Sequence, residues 1–338
     1  MNRSPKFYVS LFCLEILLFA NVTSSIAAER DVPKTEFGHP DFQGNWIHNK
    51  RVRLERPLEL GLQRAFSAEE VERQVADLEA RQKTRELPSD PNRPAPPVGE
   101  LITNVADGNF IPQVITRFPL IDGEYRTSII IDPADGRIAR TDTNDIYQDW
   151  LSEGFGEFDG PEIRPANERC LNSPAQLPLI MQIGPEDSKT LQIVQTEDYV
   201  VLNAEYATSI RIIPLNIEDN PITWAQWRGV SVGRWDDNNL IVTTKLFRPE
   251  QSIFERTPSS ADLEVIEVFS LTEQNELLYR FTFSDPIALA APFTGELLLS
   301  KMEEGQFIYE SACHEGNYAL PGILAGARRQ EMDKNQAQ

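Results

Sequence analysis

Between residues 190 and 311 the chain carries nine short apolar runs in close succession: TLQIVQT, DYVVLNAEY, SIRIIPL, GVSVGRW, NLIVTTKLF, LEVIEVFSL, ELLYRFTFS, FTGELLLSK and QFIYES. Apolar and polar residues alternate along them, and β-branched and aromatic side chains are frequent, which is the pattern of half-buried strands. Most gaps are a few turn residues, as at Asp236 to Asn239, so successive strands pair as hairpins. A meander of this many strands has two open edges and must close into a barrel or fold into a sandwich to protect them. The sequence therefore predicts a mainly β protein, an antiparallel meander closing into a lipocalin-like barrel or a sandwich, with the barrel preferred.

The stretch before these runs is more varied. Residues 29–66 contain FGHPDFQGNW, with no sustained period, and are read as an irregular lead-in. Ser67 and Glu70 form a capping box, and Val71, Val75 and Leu78 recur at helical spacing, which predicts one N-terminal amphipathic helix over residues 68–85. Its apolar stripe is narrow, so it should lie on the outside of something larger. PSDPNRPAPP, residues 88–97, is a linker or extended loop, closing a segment of residues 67–98. A β domain over residues 99–328 begins with RTSIIIDPADGRIART, read as strand, turn at Asp132 to Gly136 and returning strand. TNDIYQDWLSEGF is read as a short helix with Ile146, Trp150 and Leu151 inward. YALPGILAGAR is too Gly-rich for a large helix, and residues 329–338 are expected to be a disordered tail.

The N-terminus constrains the compartment. Arg3 and Lys6 precede an apolar stretch from Phe7 to Val22, and Ser25 to Ala28 supply small residues for a cleavage site, so residues 1–28 read as a secretory signal peptide. The stretch includes Glu15 and falls short of the ~20 apolar residues a spanning helix needs, so no stable membrane anchor is expected after cleavage. The expected location is periplasmic or secreted. The whole chain has 32 basic and 52 acidic residues; losing Arg3, Lys6 and Glu15 leaves 30 and 51, a net charge of −21. A surface this acidic repels phosphate backbones, so nucleic acid is not an expected partner. Cys13 leaves with the signal. Cys170 and Cys313 are then an even pair in an oxidising compartment and are expected to form a disulfide, the alternative being two free buried thiols.

Local motifs for chemistry are few. His39, His48 and His314 are the only histidines and match no zinc spacing, so neither a metal nor a cofactor is expected. Cys313 beside His314 suggests a thiolate and a base, but a bridged sulfur cannot be a nucleophile. GVSVG, residues 229–233, satisfies the Gly-x-Ser-x-Gly pattern. A nucleophile elbow needs a helix after the turn, however, and here another strand follows, so Ser231 reads as a strand serine. Charges embedded in apolar context stand out instead: Arg126, Arg137, Glu168, Arg169, Arg234, Glu264, Glu267 and Arg280. Barrels can keep an interior space for a small molecule, and Trp227, Trp235, Arg126, Arg234 and Arg280 are candidates to line it. His314, Glu315, Glu168 and Arg169 are the candidates for acid–base work near the barrel mouth.

The segments PDFQGNW, RTSIIIDPADGRIA, GPEIRPANERCL, RIIPL, GRWDDNNLIVTTKLF and ACHEGNYALPGILAGAR resemble a family of exported bacterial proteins of unknown function. The resemblance spans roughly residues 38–328, with Asn238 and Asn239 where that family commonly has Gly-Asp. ERC and ACHEGNY are its most specific parts. It implies export and a structural role for both mature cysteines, and it carries over no catalytic residue. The expected function is binding of a hydrophobic small molecule, lipid or terpenoid-like. The alternatives are a periplasmic acid–base enzyme (hydrolase, isomerase or hydratase) on the same scaffold and a structural envelope component. No protein partner is specified.

Overall fold

The computed structural model describes residues 32–87, 92, 115–143, 146–165, 168–171, 189–205, 209–218, 220–250, 258–310 and 312–336. The signal peptide and all of the proline-rich linker except Asn92 lie outside these residues. The dominant element is a nine-stranded antiparallel sheet. In chain order its strands are β1 (Gly44–His48), β6 (Lys189–Gln195), β7 (Tyr199–Ala204), β8 (Ser209–Pro214) and β9 (Val230–Asp236). They are followed by β10 (Asn239–Lys245), β11 (Glu264–Leu271), β12 (Leu277–Ser284) and β13 (Phe293–Lys301). Spatially they run β8-β7-β6-β1-β13-β12-β11-β10-β9.

An odd number of alternating strands leaves the first and last running the same way. The two edges, β8 and β9, do meet, and their one bridge, Leu215 to Gly233, is parallel. The sheet is thus nearly closed into a barrel. Gly233 permits the approach, because a Cβ there would lie 2.8 Å from Leu215 Cδ2 and 3.0 Å from Ile213 Cγ2.

The period of two read in the sequence sets which side chains fill the barrel. On β12 Leu277, Tyr279, Phe281 and Phe283 are all buried, and their neighbours half-exposed. Ring contacts run through the interior from Phe269 to Tyr279 (4.9 Å), Phe281 (5.4 Å), Phe283 (5.6 Å, edge-on) and Phe293 (5.0 Å, stacked). Each fully buried large side chain is worth about 1.5–3 kcal/mol, so this aromatic column is a principal stabiliser.

A smaller sheet covers part of the wall. It pairs β2 (Ala65–Phe66), β4 (Glu124–Arg126) and β3 (Leu120–Ile121), and β5 (Ile130–Asp132) runs from it onto the first half of β13. The outward face of β13 is buried here, which is why its burial breaks the alternation. Glu296 on that face is enclosed by Arg126 (3.5 Å) and Arg280 (3.3 Å). Helix α1 (Ala68–Arg85) carries the expected capping box; Leu78 is buried and Val71 and Val75 are half-buried.

Several expectations are corrected. The lead-in is not irregular throughout: GNWIH is β1, inserted between β6 and β13, with Trp46 and His48 buried. Five residues, one of them an inward histidine, are too short a pattern to read. The segment after Gly136 returns without forming a strand, making one isolated bridge from Arg140 to Leu289. The described part of QFIYES, residues 306–310, is not a strand: the wall is already complete, and Phe307 and Tyr309 are exposed. In α2 (Ile146–Ser152) Trp150 is half-buried but Leu151 is exposed. After the short α3 (Cys313–Gly316), α4 runs Ala319–Gln336 where a disordered tail was expected. Gly322 and Gly326 weaken that helix, but ARRQEMDKNQ is rich in helix formers, and Arg329 pairs with Asp333 one turn on (3.0 Å). No helix among the described residues is long and apolar enough to cross a membrane.

Candidate functional site

The seam between β8 and β9 is the weak line of the barrel, and a cleft of about 660 Å³ opens there. Stretches distant in sequence build it. β8 contributes outward Ile210 and Ile212, which are 54% and 63% exposed, and inward Arg211. β9 contributes Val230 and Ser231. A turn from Gln226 to Gly229, closed by the Gly229 amide donating to the Gln226 carbonyl (3.2 Å), carries Trp227 and Arg228 into the wall. The remaining side is the disulfide joining Cys170 to Cys313, whose Cα atoms are 5.8 Å apart.

Both flanks of the cleft are held. The Arg248 guanidinium lies 4.7 Å over the Trp227 ring and donates to Glu250 at 2.8 and 3.2 Å. Those bonds, with Arg169 adding its charge, hold the Glu250 carboxyl below the usual carboxylate range. Gly229 has φ +66°, and a Cβ there would meet Thr244, the Lys245 carbonyl and Phe247 at 2.6–2.8 Å, so this position has no room for a side chain without a shift. Asn317 donates to the Glu168 carbonyl (2.7 Å) and accepts from the Leu320 amide (3.3 Å), tying the start of α4 to the bridged segment.

Beneath the cleft, inside the barrel, lies a polar network. Arg211 donates both ends of its guanidinium to Glu267, at 2.9 and 2.7 Å, and the same terminal nitrogen reaches Ser231 (2.9 Å) and Thr244 (3.0 Å). The Tyr279 hydroxyl donates to Glu267 at 3.0 Å. Burial first, and the Glu267 charge second, push the Tyr279 phenol well above its ordinary value, so it stays a donor. Glu267 is fully buried and Arg211 nearly so. Ion pairs of this kind add little net stability over an apolar filling, but they fix a geometry, here an arginine at the floor of the cleft. Burial, then the nearby Arg211 charge, pulls Arg228 down to about 10.

The residues singled out from sequence divide by location. Trp227, His314 and Glu315 line the cleft, the last two exposed on its rim. Glu168 and Arg169 are close by, next to Cys170, but their side chains point elsewhere: Glu168 is gripped by Arg164 (2.8 and 2.9 Å), and Arg169 donates to the Glu162 carbonyl (3.3 Å). Trp235 stacks on His39 at 4.7 Å. Arg234 is exposed beside Asp236, and Arg126 and Arg280 converge on Glu296 beneath the small sheet. The sequence missed Arg211 and Arg228. Arg211 could have been found, being a charge at an inward position of SIRIIPL, whereas Arg228 sits in a turn that has no pattern. Comparison with protein-family models and with curated proteins gives no match.

Proposed function

We propose that this protein is an exported binder of a hydrophobic small molecule, lipid or terpenoid-like, held in the seam cleft and not in the barrel interior. The observation that carries the reading is the cleft itself, whose volume falls in the range of drug-sized ligand sites. Apolar surface from Ile210, Ile212, Ile222 and Trp227 lies there beside polar and charged groups that include Arg211, Arg228, Ser231 and Asn220. The interior, by contrast, is occupied by the aromatic column from Phe269 to Phe293. The disulfide is compatible with an oxidising compartment. Native mass spectrometry of protein purified from its own host tests the reading: a retained organic molecule, lost when Ile212 is replaced by Glu, supports it. Wild-type protein that carries nothing and binds no member of an apolar ligand panel would refute it.

A second reading, an acid–base enzyme, draws on His314 and Glu315 at the rim of the same cleft. Turnover of a bound ligand that is abolished by His314→Ala, with affinity retained, would establish it.

A further inference from the structure

We infer that the seam is a strand-addition site: it takes a short extended peptide of a partner protein, antiparallel to both β8 and β9, whose main chain pairs with the β8 edge. The inference goes beyond the small-molecule reading, because it concerns the main-chain edge of the cleft and not its apolar walls; the two kinds of ligand would compete for one space. The bonding phase along both strands supports it. In an antiparallel pair, residues that exchange both main-chain bonds with the partner alternate with residues that turn those groups away. The Leu215 amide donates to the Asp198 carbonyl next to β7 (2.8 Å), whereas the Asn216 amide donates to the Gly233 carbonyl across the seam (3.1 Å). Counting back by twos from Asn216 along the unbroken register of β8 with β7, Ile210 and Ile212 turn their N–H and C=O groups into the seam. On β9 the same count from Gly233 reaches Ser231, whose carbonyl accepts from the Asn220 side-chain amide (3.2 Å), a side chain standing where a strand N–H would be. Beyond the bridge from Leu215 to Gly233, no strand among the described residues pairs with β8 on that side.

The edge is also undefended. From Ser209 to Ile213 it has no lysine, no proline and no bulge, the usual devices against strand addition, and Ile210 and Ile212 are 54% and 63% exposed. Its one charge, Arg211, points inward and is engaged by Glu267. Nine strands leave the two edges parallel, so a tenth strand running against both makes each new neighbouring pair antiparallel. The pleat then sets the chemistry of the peptide. Its outward side chains lie beside Ile210, Ile212 and Val230, and its inward ones above Ser231 and Arg211. The fitting sequence alternates β-branched apolar residues with small hydroxyl residues.

The test is fluorescence-anisotropy titration of the purified protein, disulfide intact, with dye-labelled Val-Ser-Val-Ser-Val-amide and two copies of it N-methylated at alternate amides, one for each edge. The parent peptide is expected to bind, and the copy methylated on the β8 side to bind at least about tenfold more weakly, although methylation makes it more apolar. Ile212→Pro removes a seam donor and no bond to β7, so it should weaken the parent peptide about as much, whereas Ile212→Val, which keeps the amide, should not. Should Ile212→Pro not fold, the methylated peptides make the same comparison on the wild type. Equal affinities of the parent and both methylated peptides would overturn main-chain pairing, and full affinity in a folded Ile212→Pro would overturn the role of β8. Failure of the parent peptide to bind would overturn the inference; decanol binding to the same protein would then leave the small-molecule reading standing. A dimer in sedimentation that Ile212→Pro dissolves would overturn the peptide partner in favour of a second copy of this chain.

Discussion

Replacing Arg211 by Met should strand the Glu267 carboxylate inside the barrel. The two side chains are 4% and 0% exposed and share two parallel hydrogen bonds, so neither half of the pair can turn to water. After the substitution Glu267 keeps, among the described residues, the Tyr279 and Thr244 hydroxyls. Removing one partner of a buried pair costs about 3–5 kcal/mol. That is a third or more of the ~5–15 kcal/mol by which a domain is ordinarily stable. Glu267→Gln should cost a similar amount, because it leaves Arg211 charged and close to Arg228. The double variant Arg211→Met, Glu267→Leu should be far milder, about 1–3 kcal/mol, the residual being the Tyr279 hydroxyl without its acceptor. Ser231 and Thr244 can still satisfy one another at 2.9 Å. Urea unfolding followed by tryptophan fluorescence, disulfide intact, measures all three. Single variants costing under about 1 kcal/mol, or a double variant equal to the sum of the singles, would refute the coupling.

Three further outcomes follow from the same geometry. Cys170→Ala with Cys313→Ala opens a loop with a sequence separation of 143 and should cost about 3–5 kcal/mol on the chain-entropy account, measured by urea unfolding; two titratable thiols in the unreduced wild type would contradict the bridge. Gly229→Ala should cost about 1–3 kcal/mol, since it combines positive φ with contacts as close as 2.6 Å, and a thermal melt unchanged from wild type would contradict that. The Glu250 carboxyl is depressed in the fold, so its stabilisation is present above about pH 4.3 and is lost as pH falls through the folded value. The stability gap between wild type and Arg248→Met should accordingly narrow in acid, as read by unfolding at a series of pH values.

The strands from β6 to β13 were legible because alternation is local: Leu277, Tyr279, Phe281 and Phe283 announce their shared face without reference to any partner. The disulfide was legible by counting, once Cys13 is assigned to the signal. β1 was not, because its pairing with Ile193 and Lys301 is supplied by segments far along the chain. The cleft was not legible either. Trp227, His314 and Glu315 were noticed singly, but what unites them is the meeting of the β8 and β9 edges and the disulfide that brings Cys313 there. Glu267 stood out as a charge out of place and Arg211 did not; only the nearly closed barrel turns them into a pair.

The position of β1 bears on how such a chain is made. It is the first barrel strand to be synthesised, yet it lies between β6 and β13, and the His48 ring meets the Leu298 carbonyl 250 residues later. At ~5–20 residues per second, translation takes on the order of 10–50 s to produce that partner. Until then the wall has a gap in its middle, and the strands already made expose edges that would pair with any neighbouring chain. A barrel whose first and last strands are adjacent cannot be completed piecemeal as the chain becomes available. It closes late and all at once, and a truncation before Lys50 would remove an interior stave, not a dispensable tail.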